Sequence, residues 1–298
     1  MTAQAIEFGR AKAERRSRSR VLRILRDFPI FPAAVLVIMA VCGIFGQWIT
    51  PHDPNAPDPL LRLQPPAWLD GGSWSYPLGT DPVGRDILSR LMSGARVSLL
   101  IGVTVVLIAG GIGTTIALLS GYMQGWVDAV LMRFTDAVIS IPFLVLAVAI
   151  AGIVNPSLTS LIIILGLLSW AGYARVLRSE VLRIKQADFV TLARITGVST
   201  PKIMVRHILP NLVNTLVVLA TLQVGTAIIA AASLGFLGFG VPPPTAEWGS
   251  MLSEGRLYIS SAWWVVTMPG VAIALTVVST NALGDWLRSK LDPKLRGI

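Results

Sequence analysis

The sequence predicts an all-α, polytopic membrane protein with six transmembrane helices and both termini cytoplasmic. Three observations predict it: a shortage of charge, six long apolar runs and an uneven distribution of basic residues. Of 298 residues, 53% are hydrophobic and only 14% charged, with a formal net charge of +9 and a mean hydropathy of +0.68. A soluble chain carries about a quarter charged residues, so a soluble enzyme or a disordered chain is excluded. Cys42 is the single cysteine, which excludes a disulfide-stapled domain.

Crossing a bilayer core of roughly 30 Å takes about 20 apolar residues. Six runs free of Asp, Glu, Lys, Arg and His meet or approach that length: 30–49, 97–119, 137–154, 158–174, 212–236 and 263–283. They are continuous rather than alternating, which argues against a β-barrel. The first run follows a long basic stretch and precedes Thr50-Pro51-His52, which is not a small-residue cleavage site; it reads as a retained signal anchor. The third and fourth are joined only by Asn155-Pro156-Ser157 and form a tight hairpin, with a kink expected at Pro142.

Six crossings place the N-terminal tail, the second and fourth loops and the C-terminal tail on one side. That side holds 20 of the 25 Lys and Arg residues, so it is cytoplasmic by the positive-inside rule. The expected organisation is a basic cytoplasmic tail (1–28), a first span (29–49) and an external loop with an interfacial helix (50–96). A five-helix core (97–283) with a cytoplasmic loop at 178–210 and a cytoplasmic tail (284–298) complete it. The basic surplus meets anionic headgroups; no nucleic-acid module is present.

Catalytic and cofactor signatures are missing. The sequence has no phosphate-cradling Gly-Lys loop, no cysteine pair, no His cluster and no nucleophile elbow. Charge-free spans argue against ion coupling, although hydroxyl, amide or backbone oxygens can still ligate Na⁺. The chain therefore reads as a conduit driven from elsewhere. The competing class is an ATP-independent channel or ion-coupled carrier.

The most informative stretch is ADFVTLARITGVSTPKIMVRHILPN, 187–211. Asp188 suits an N-cap, and Phe189, Leu192, Ala193 and Thr196 make a short apolar stripe. Gly197 suits a helix C′ position of positive φ. Thr200-Pro201 reads as a second helix start, and Leu209-Pro210 ends or kinks that helix. The stripe either packs on its own bundle or docks a partner; the pattern alone leaves both open.

This stretch resembles the EAA loop of bacterial ABC importer permeases. Thr191-Leu192-Ala193 stand at the Glu-Ala-Ala triplet, Gly197 at the glycine and Leu209-Pro210 at the ending. Two of the triplet residues depart from the pattern, so a salt bridge through residue 191 is not implied. Arg206 to Asn211, with His207, resembles the peptide-importer branch. LGTDPVGRDILSRLMSGARVSLLIG (78–102), GYMQGWVDAVLMRFTDAVISIPFLVL (121–146) and SLGFLGFGVPPPTAEWG (233–249) are similar to segments of the dipeptide, oligopeptide and nickel permeases, in the same order. Gly284-Asp285-Trp286-Leu287-Arg288 and Leu291-Asp292-Pro293 match the family ending.

In the first of these segments Asp81 or Asp86 is expected to cap, and Asp86 with Arg90 to form an i,i+4 pair. In the second, Asp128, Arg133 and Asp136 are expected to form ion pairs at the cytoplasmic end. In the third, Gly235, Gly238 and Gly240 allow close helix packing, Pro242, Pro243 and Pro244 stop the span, and Trp248 follows, together an external gate or packing element.

The resemblance implies the C-type permease subunit of a dipeptide/oligopeptide/nickel-family importer with the type I ABC importer fold. It implies a homologous second permease, an external binding protein and two ATP-binding subunits (two different proteins or one in two copies). It places the chain in the bacterial inner membrane, with no cofactor of its own and with ATP and Mg in the partner subunits. It implies docking of the ATPase through Asp188, Phe189, Thr191, Leu192, Ala193, Gly197, His207, Leu209 and Pro210, and import of peptides, or of a nickel chelate or other small solute.

Overall fold

Five helices long and apolar enough to span a membrane, and a sixth pair bent by 84°, account for the six expected crossings. The structure, a computed structural model, describes residues 28–291. The basic tail expected over 1–28 and the end of the C-terminal tail therefore lie outside the described residues, apart from Phe28 and 284–291. In chain order the helices are α1 (Ile30–Ile49), α2 (Ile87–Met123), α3 (Gly125–Ser140), α4 (Phe143–Ala151) and α5 (Leu158–Lys185). There follow α6 (Asp188–Ile195), α7 (Thr200–Ile203), a π turn (Met204–Ile208), α8 (Leu209–Phe236), α9 (Trp248–Gly255) and α10 (Trp264–Leu291). No β-strand occurs among the described residues, only an isolated bridge between Thr80 and Asp86.

α2 is the axis of the bundle, and its pairing with α5 is the most extensive helix contact. At 37 residues it rises about 55 Å and outruns the apolar core. The expected separate interfacial helix before residue 97 is instead the first turns of α2. Asp86 caps this helix, accepting from the N–H groups of Leu88 (3.2 Å) and Ser89 (3.1 Å), and no Gly-Pro break follows before the apolar run.

α2 and α5 meet through small residues. A Cβ on Gly113 would lie 2.4 Å from Tyr173 Cβ and 2.7 Å from the Trp170 carbonyl, and one on Gly121 2.8 Å from Val181. From the other side, a Cβ on Gly166 would stand 2.8 Å from Ile108. Lipid tails are as apolar as these side chains, so close packing rather than water exclusion holds such helices together. α1 lies along α2 through Gly43 and Gly46 and also touches α10, leaving most of its surface outward.

The third span is broken rather than kinked. α3 stops at Ser140, Ile141 is extended at ψ 129°, and α4 restarts after Pro142. A residue before proline is pushed out of the helical region, and Pro142 has no N–H to continue the ladder. α4 has only nine residues. Ser157 then caps α5 by accepting from Ser160 N–H at 3.0 Å.

Gly113→Val should prevent the α2–α5 approach and remove the monodisperse protein from size-exclusion profiles in mild detergent. Gly111→Val is the control, since a Cβ there meets nothing within 4 Å; it should leave the profile and the melting midpoint unchanged.

Candidate coupling surface and the opposite junction

The basic end of the bundle carries α6. Its first helical residue is Asp188, and the N-cap is Ala187 without a side-chain bond. The expected Asp188 cap is therefore shifted by one residue; its carboxylate sits in the first turn, where the helix dipole favours it. Val190 (0% exposed) and Ala193 (6%) face inward, onto Tyr122, Val181, Ile184, Ile203, Ile208 and Leu212. Phe189, Leu192 and Ile195 face outward at 42%, 62% and 76% exposure. The stripe thus divides in two. Ala193, expected on the docking face, anchors the helix to its own bundle, and Ile195, which was not anticipated, takes its place outside. Thr191 is exposed and its hydroxyl points to the Ala187 carbonyl at 3.5 Å.

Gly197 ends α6 as expected, at φ +76°. Its N–H donates to the Arg194 carbonyl at 3.1 Å and the Val198 N–H to the Ala193 carbonyl at 3.0 Å, a Schellman pairing. Val198 packs into the same cluster as Ala193. The N-cap of the next helix is Ser199, with Thr200 and Pro201 as its first two residues, one position earlier than expected. Leu209-Pro210 neither ends nor sharply kinks the chain. The helix passes them through the π turn at 204–208, where Leu209 N–H reaches the Met204 carbonyl; the wider turn accommodates a proline that has no N–H. His207 lies in that turn, half-buried, and its carbonyl accepts from the Asn211 side chain at 2.7 Å.

Tyr122 knits this end together. Lys185 Nζ donates to its carbonyl at 2.6 Å and to Gln124 Oε1 at 3.0 Å. That ammonium lies 5.3 Å and the Arg194 guanidinium 5.9 Å from the Tyr122 ring centroid. Lys185, the last residue of α5, thus satisfies a carbonyl that the end of α2 leaves open and ties the ends of α2 and α5 under α6.

The expected ion pairs here form with other partners. Asp128 accepts from Arg178 through Nε (2.6 Å) and Nη2, and from Ser120 Oγ at 2.6 Å. Asp136 pairs with Arg175 on the exposed surface. Arg133 is exposed and pairs with neither, the two carboxylates being taken by Arg178 and Arg175 of α5.

At the opposite end the expected gate is mostly a packed junction. α8 ends at Phe236, and Gly238 (φ +90°) turns the chain just past it, with Phe239 N–H on the Leu234 carbonyl at 2.8 Å and Gly238 N–H on the Gly235 carbonyl at 3.0 Å. This second Schellman ending stops the span four residues before Pro242, so the prolines do not. A Cβ on Gly235 would stand 2.7 Å from Glu247 Oε2, and one on Gly240 2.5 Å from Gly235 Cα. Trp248 is buried against α2 and donates to the Leu91 carbonyl at 3.0 Å. Gly238 and Pro242 are exposed.

Glu247, which was not singled out from the sequence, is 2% exposed and caps α9, accepting from Gly249 and Ser250 N–H at 2.7 Å each. Burial pushes its carboxyl pKa up, and the two backbone N–H groups oppose that.

A buried ionic cluster closes the same end. Arg85 pairs with Asp81 and Glu254, and Arg90, with its side chain 0% exposed, lies 3.5 Å from Asp81 and 3.4 Å from Glu254. Arg90 also donates to the Pro54 carbonyl at 3.2 Å. The expected Asp86–Arg90 side-chain pair is absent because Asp86 is used as the cap, bonding Ser89 and lying 3.3 Å from His52. Local spacing suggested the i,i+4 partner; Glu254, 164 residues away, has no sequence signal.

The fold and its two ends define a multi-pass helical membrane protein with a short helix at its basic end that exposes Phe189, Leu192 and Ile195. The chain belongs to the family of binding-protein-dependent transport system inner membrane components, whose model matches residues 113–297. It is 44% identical over 261 residues to the di/tripeptide transport system permease protein DppC of Pseudomonas aeruginosa, covering 88% of this chain and 86% of that one. It is 40% identical over 288 residues to the probable D,D-dipeptide transport system permease protein DdpC of Escherichia coli, covering 96% and 95%. It is 41% identical over 276 residues to the glutathione transport system permease protein GsiD of Escherichia coli, covering 92% and 89%. Among solved structures, the inward-facing MetNI methionine ABC transporter matches with a TM-score of 0.57 at 18% identity, over 68% of this chain and 96% of that chain; this likeness gives the type I importer permease fold.

Two substitutions test the two ends. Gly197→Val forces a β-branched residue into the left-handed region at a cost of about 1–2 kcal/mol, so amide exchange over 190–198 should quicken by about tenfold while α2 and α5 stay protected. Arg90→Ala leaves the carboxylates of a buried cluster under-compensated and should cost about 3–5 kcal/mol, read as a lowered melting midpoint. Arg96→Ala, at an exposed site on the same helix, should change it little.

Proposed function

We propose that this chain is one of two permease subunits of an ATP-driven importer of short peptides in the bacterial cytoplasmic membrane. The single observation that carries the reading is the divided face of α6. Val190 and Ala193 lock the helix onto the bundle, while Phe189, Leu192 and Ile195 stand free. An apolar face held rigidly outside its own core is a ready partner surface. The peptide substrate is supported by the names of the relatives, which span di/tripeptide, D,D-dipeptide and glutathione transport.

A homologous second permease completes the pathway, and an external binding protein delivers the solute. Two ATP-binding subunits hold the ATP and Mg and dock on α6, where Phe189 and Leu192 fill a groove. The helix is short and doubly anchored, at Val190 and Ala193 below and by the Gly197 ending, so it moves with α5 and α8 rather than bending. Closure of the ATPase pair is thereby transmitted as a rigid-body shift that alternates inward-facing and outward-facing states. Asp128–Arg178 holds α3 to α5 during that motion.

Leu192→Asp places a charge on the exposed face, where folding stability should stay within about 0.5 kcal/mol. Co-purification of the ATPase subunits and solute-stimulated ATP hydrolysis should fall by at least about tenfold, since a buried charge at a docking site costs several kcal/mol. Full hydrolysis and transport by this variant in an intact complex would remove the docking assignment.

A further inference from the structure

At the basic end, between the last turns of α2 and α5 and the turn from α6 to α7, lies an open cavity of about 360 Å³. Tyr122, Val198 and Ile203 are among its walls, and Lys185, Arg194 and Thr200 bring polar groups to it. No acidic side chain lines it. Elsewhere on the last turns of α5 each cation is matched to a carboxylate: Arg175 to Asp136, Arg178 to Asp128 and Arg183 to Glu180. Among the described residues neither Lys185 nor Arg194 forms such a pair. They share one aromatic ring instead, their charges 5.3 and 5.9 Å from the Tyr122 centroid. Two like charges in one cavity repel. Burial, and then the neighbouring Arg194, hold the Lys185 pKa below the usual lysine value.

Donors are in surplus as well. Lys185 gives two of its three N–H groups to the Tyr122 carbonyl and Gln124 Oε1 and keeps one. The Arg194 guanidinium and the Thr200 hydroxyl make no hydrogen bond to the described residues. The cavity thus suits a group with negative charge and more than two acceptor oxygens. A phosphate fits, because the guanidinium fork can take two of its oxygens while an ammonium takes a third. Depth selects the source. The apolar run of α2 ends at Leu119, so Tyr122 stands about 5 Å past the hydrocarbon edge, within a headgroup layer of roughly 5–7 Å per leaflet.

We propose that this pocket seats the phosphate of an anionic lipid headgroup, held by Lys185, Arg194 and Thr200. Basic pockets between membrane helices recognise such headgroups. A seated phosphate bridges the end of α5 to α6 and α7, and so braces the helix that exposes Phe189 and Leu192. The assignment is independent of which solute is imported.

The test uses the full chain, purified with its native partners, in nanodiscs of three kinds: phosphatidylcholine alone, phosphatidylcholine with phosphatidylglycerol, and phosphatidylcholine with millimolar inorganic phosphate. Amide exchange over 193–200 should slow by about three- to tenfold with phosphatidylglycerol and level off as its fraction rises. Arg194→Gln, at an exposed side chain, should remove the slowing. Lys185→Gln, which keeps a donor for the Tyr122 carbonyl, should reduce it. Arg288→Gln removes an exposed cation from the last turn of α10 and should leave it intact. No slowing in the wild type, slowing undiminished by Arg194→Gln, or slowing lost equally with Arg288→Gln overturns the pocket. Equal slowing by inorganic phosphate in phosphatidylcholine overturns the headgroup source in favour of a free anion. Protection in phosphatidylcholine alone that vanishes with Arg194→Gln places a partner's acidic side chain in the pocket and overturns the lipid assignment.

Discussion

The close approach of α2 and α5 is the contact on which the rest of the molecule depends. In a bilayer the solvent is itself apolar, so two helices gain little by hiding hydrophobic surface from it. They gain by touching, and Gly113, Gly121 and Gly166 allow backbone to meet side chain at distances that any larger residue would forbid. Once α5 is seated, its last turns carry Val181 and Ile184 to the place where Val190 and Ala193 of α6 must land. Its middle turns carry Tyr173 against α2. The placing of the projecting helix and the burial of Tyr173 are thus both set by one glycine-lined seam.

Charge is handled at the two ends by different means. At the basic end the ion pairs among the described residues are partly or wholly exposed, Asp128–Arg178 between α3 and α5 being the least so. At the opposite end Asp81, Arg85, Arg90 and Glu254 are drawn into the protein. Buried ions are poor sources of net stability but exacting about partners, so this cluster specifies how the 50–86 loop sits against α9 and the start of α2. The backbone obeys the same need for satisfaction. α6 and α8 both end in Schellman pairings, at Gly197 and Gly238, which bond the Ala193 and Arg194 and the Leu234 and Gly235 carbonyls, although one faces the basic end and the other the junction.

Much of this was readable along the chain because it depends on local periodicity. Apolar runs of about 20 residues, the asymmetry of Lys and Arg, and a glycine one step past a short amphipathic stripe are all properties of neighbours in sequence. Where local rules competed, the reading slipped. Asp86 had two local roles, cap and ion-pair partner, and only the cap is used. Pro210 reads as a terminator, yet a π turn lets the helix pass. Pro242 to Pro244 read as the stop of a span that Gly238 had already ended. Asp188 reads as a cap and is the first helical residue.

The sequence by itself determined the class of the protein: its long apolar spans, which end is basic, and where a short helix must break out. Those follow from composition and from spacings of three to twenty residues, which chain chemistry sets before any folding. The tertiary structure alone decided which half of the α6 stripe is buried, that Arg90 finds Glu254, and that the Tyr173 ring lies on the glycine face of α2. Each of these joins residues far apart in the chain, and their meeting is settled by how helices pack, a property no single stretch of sequence contains.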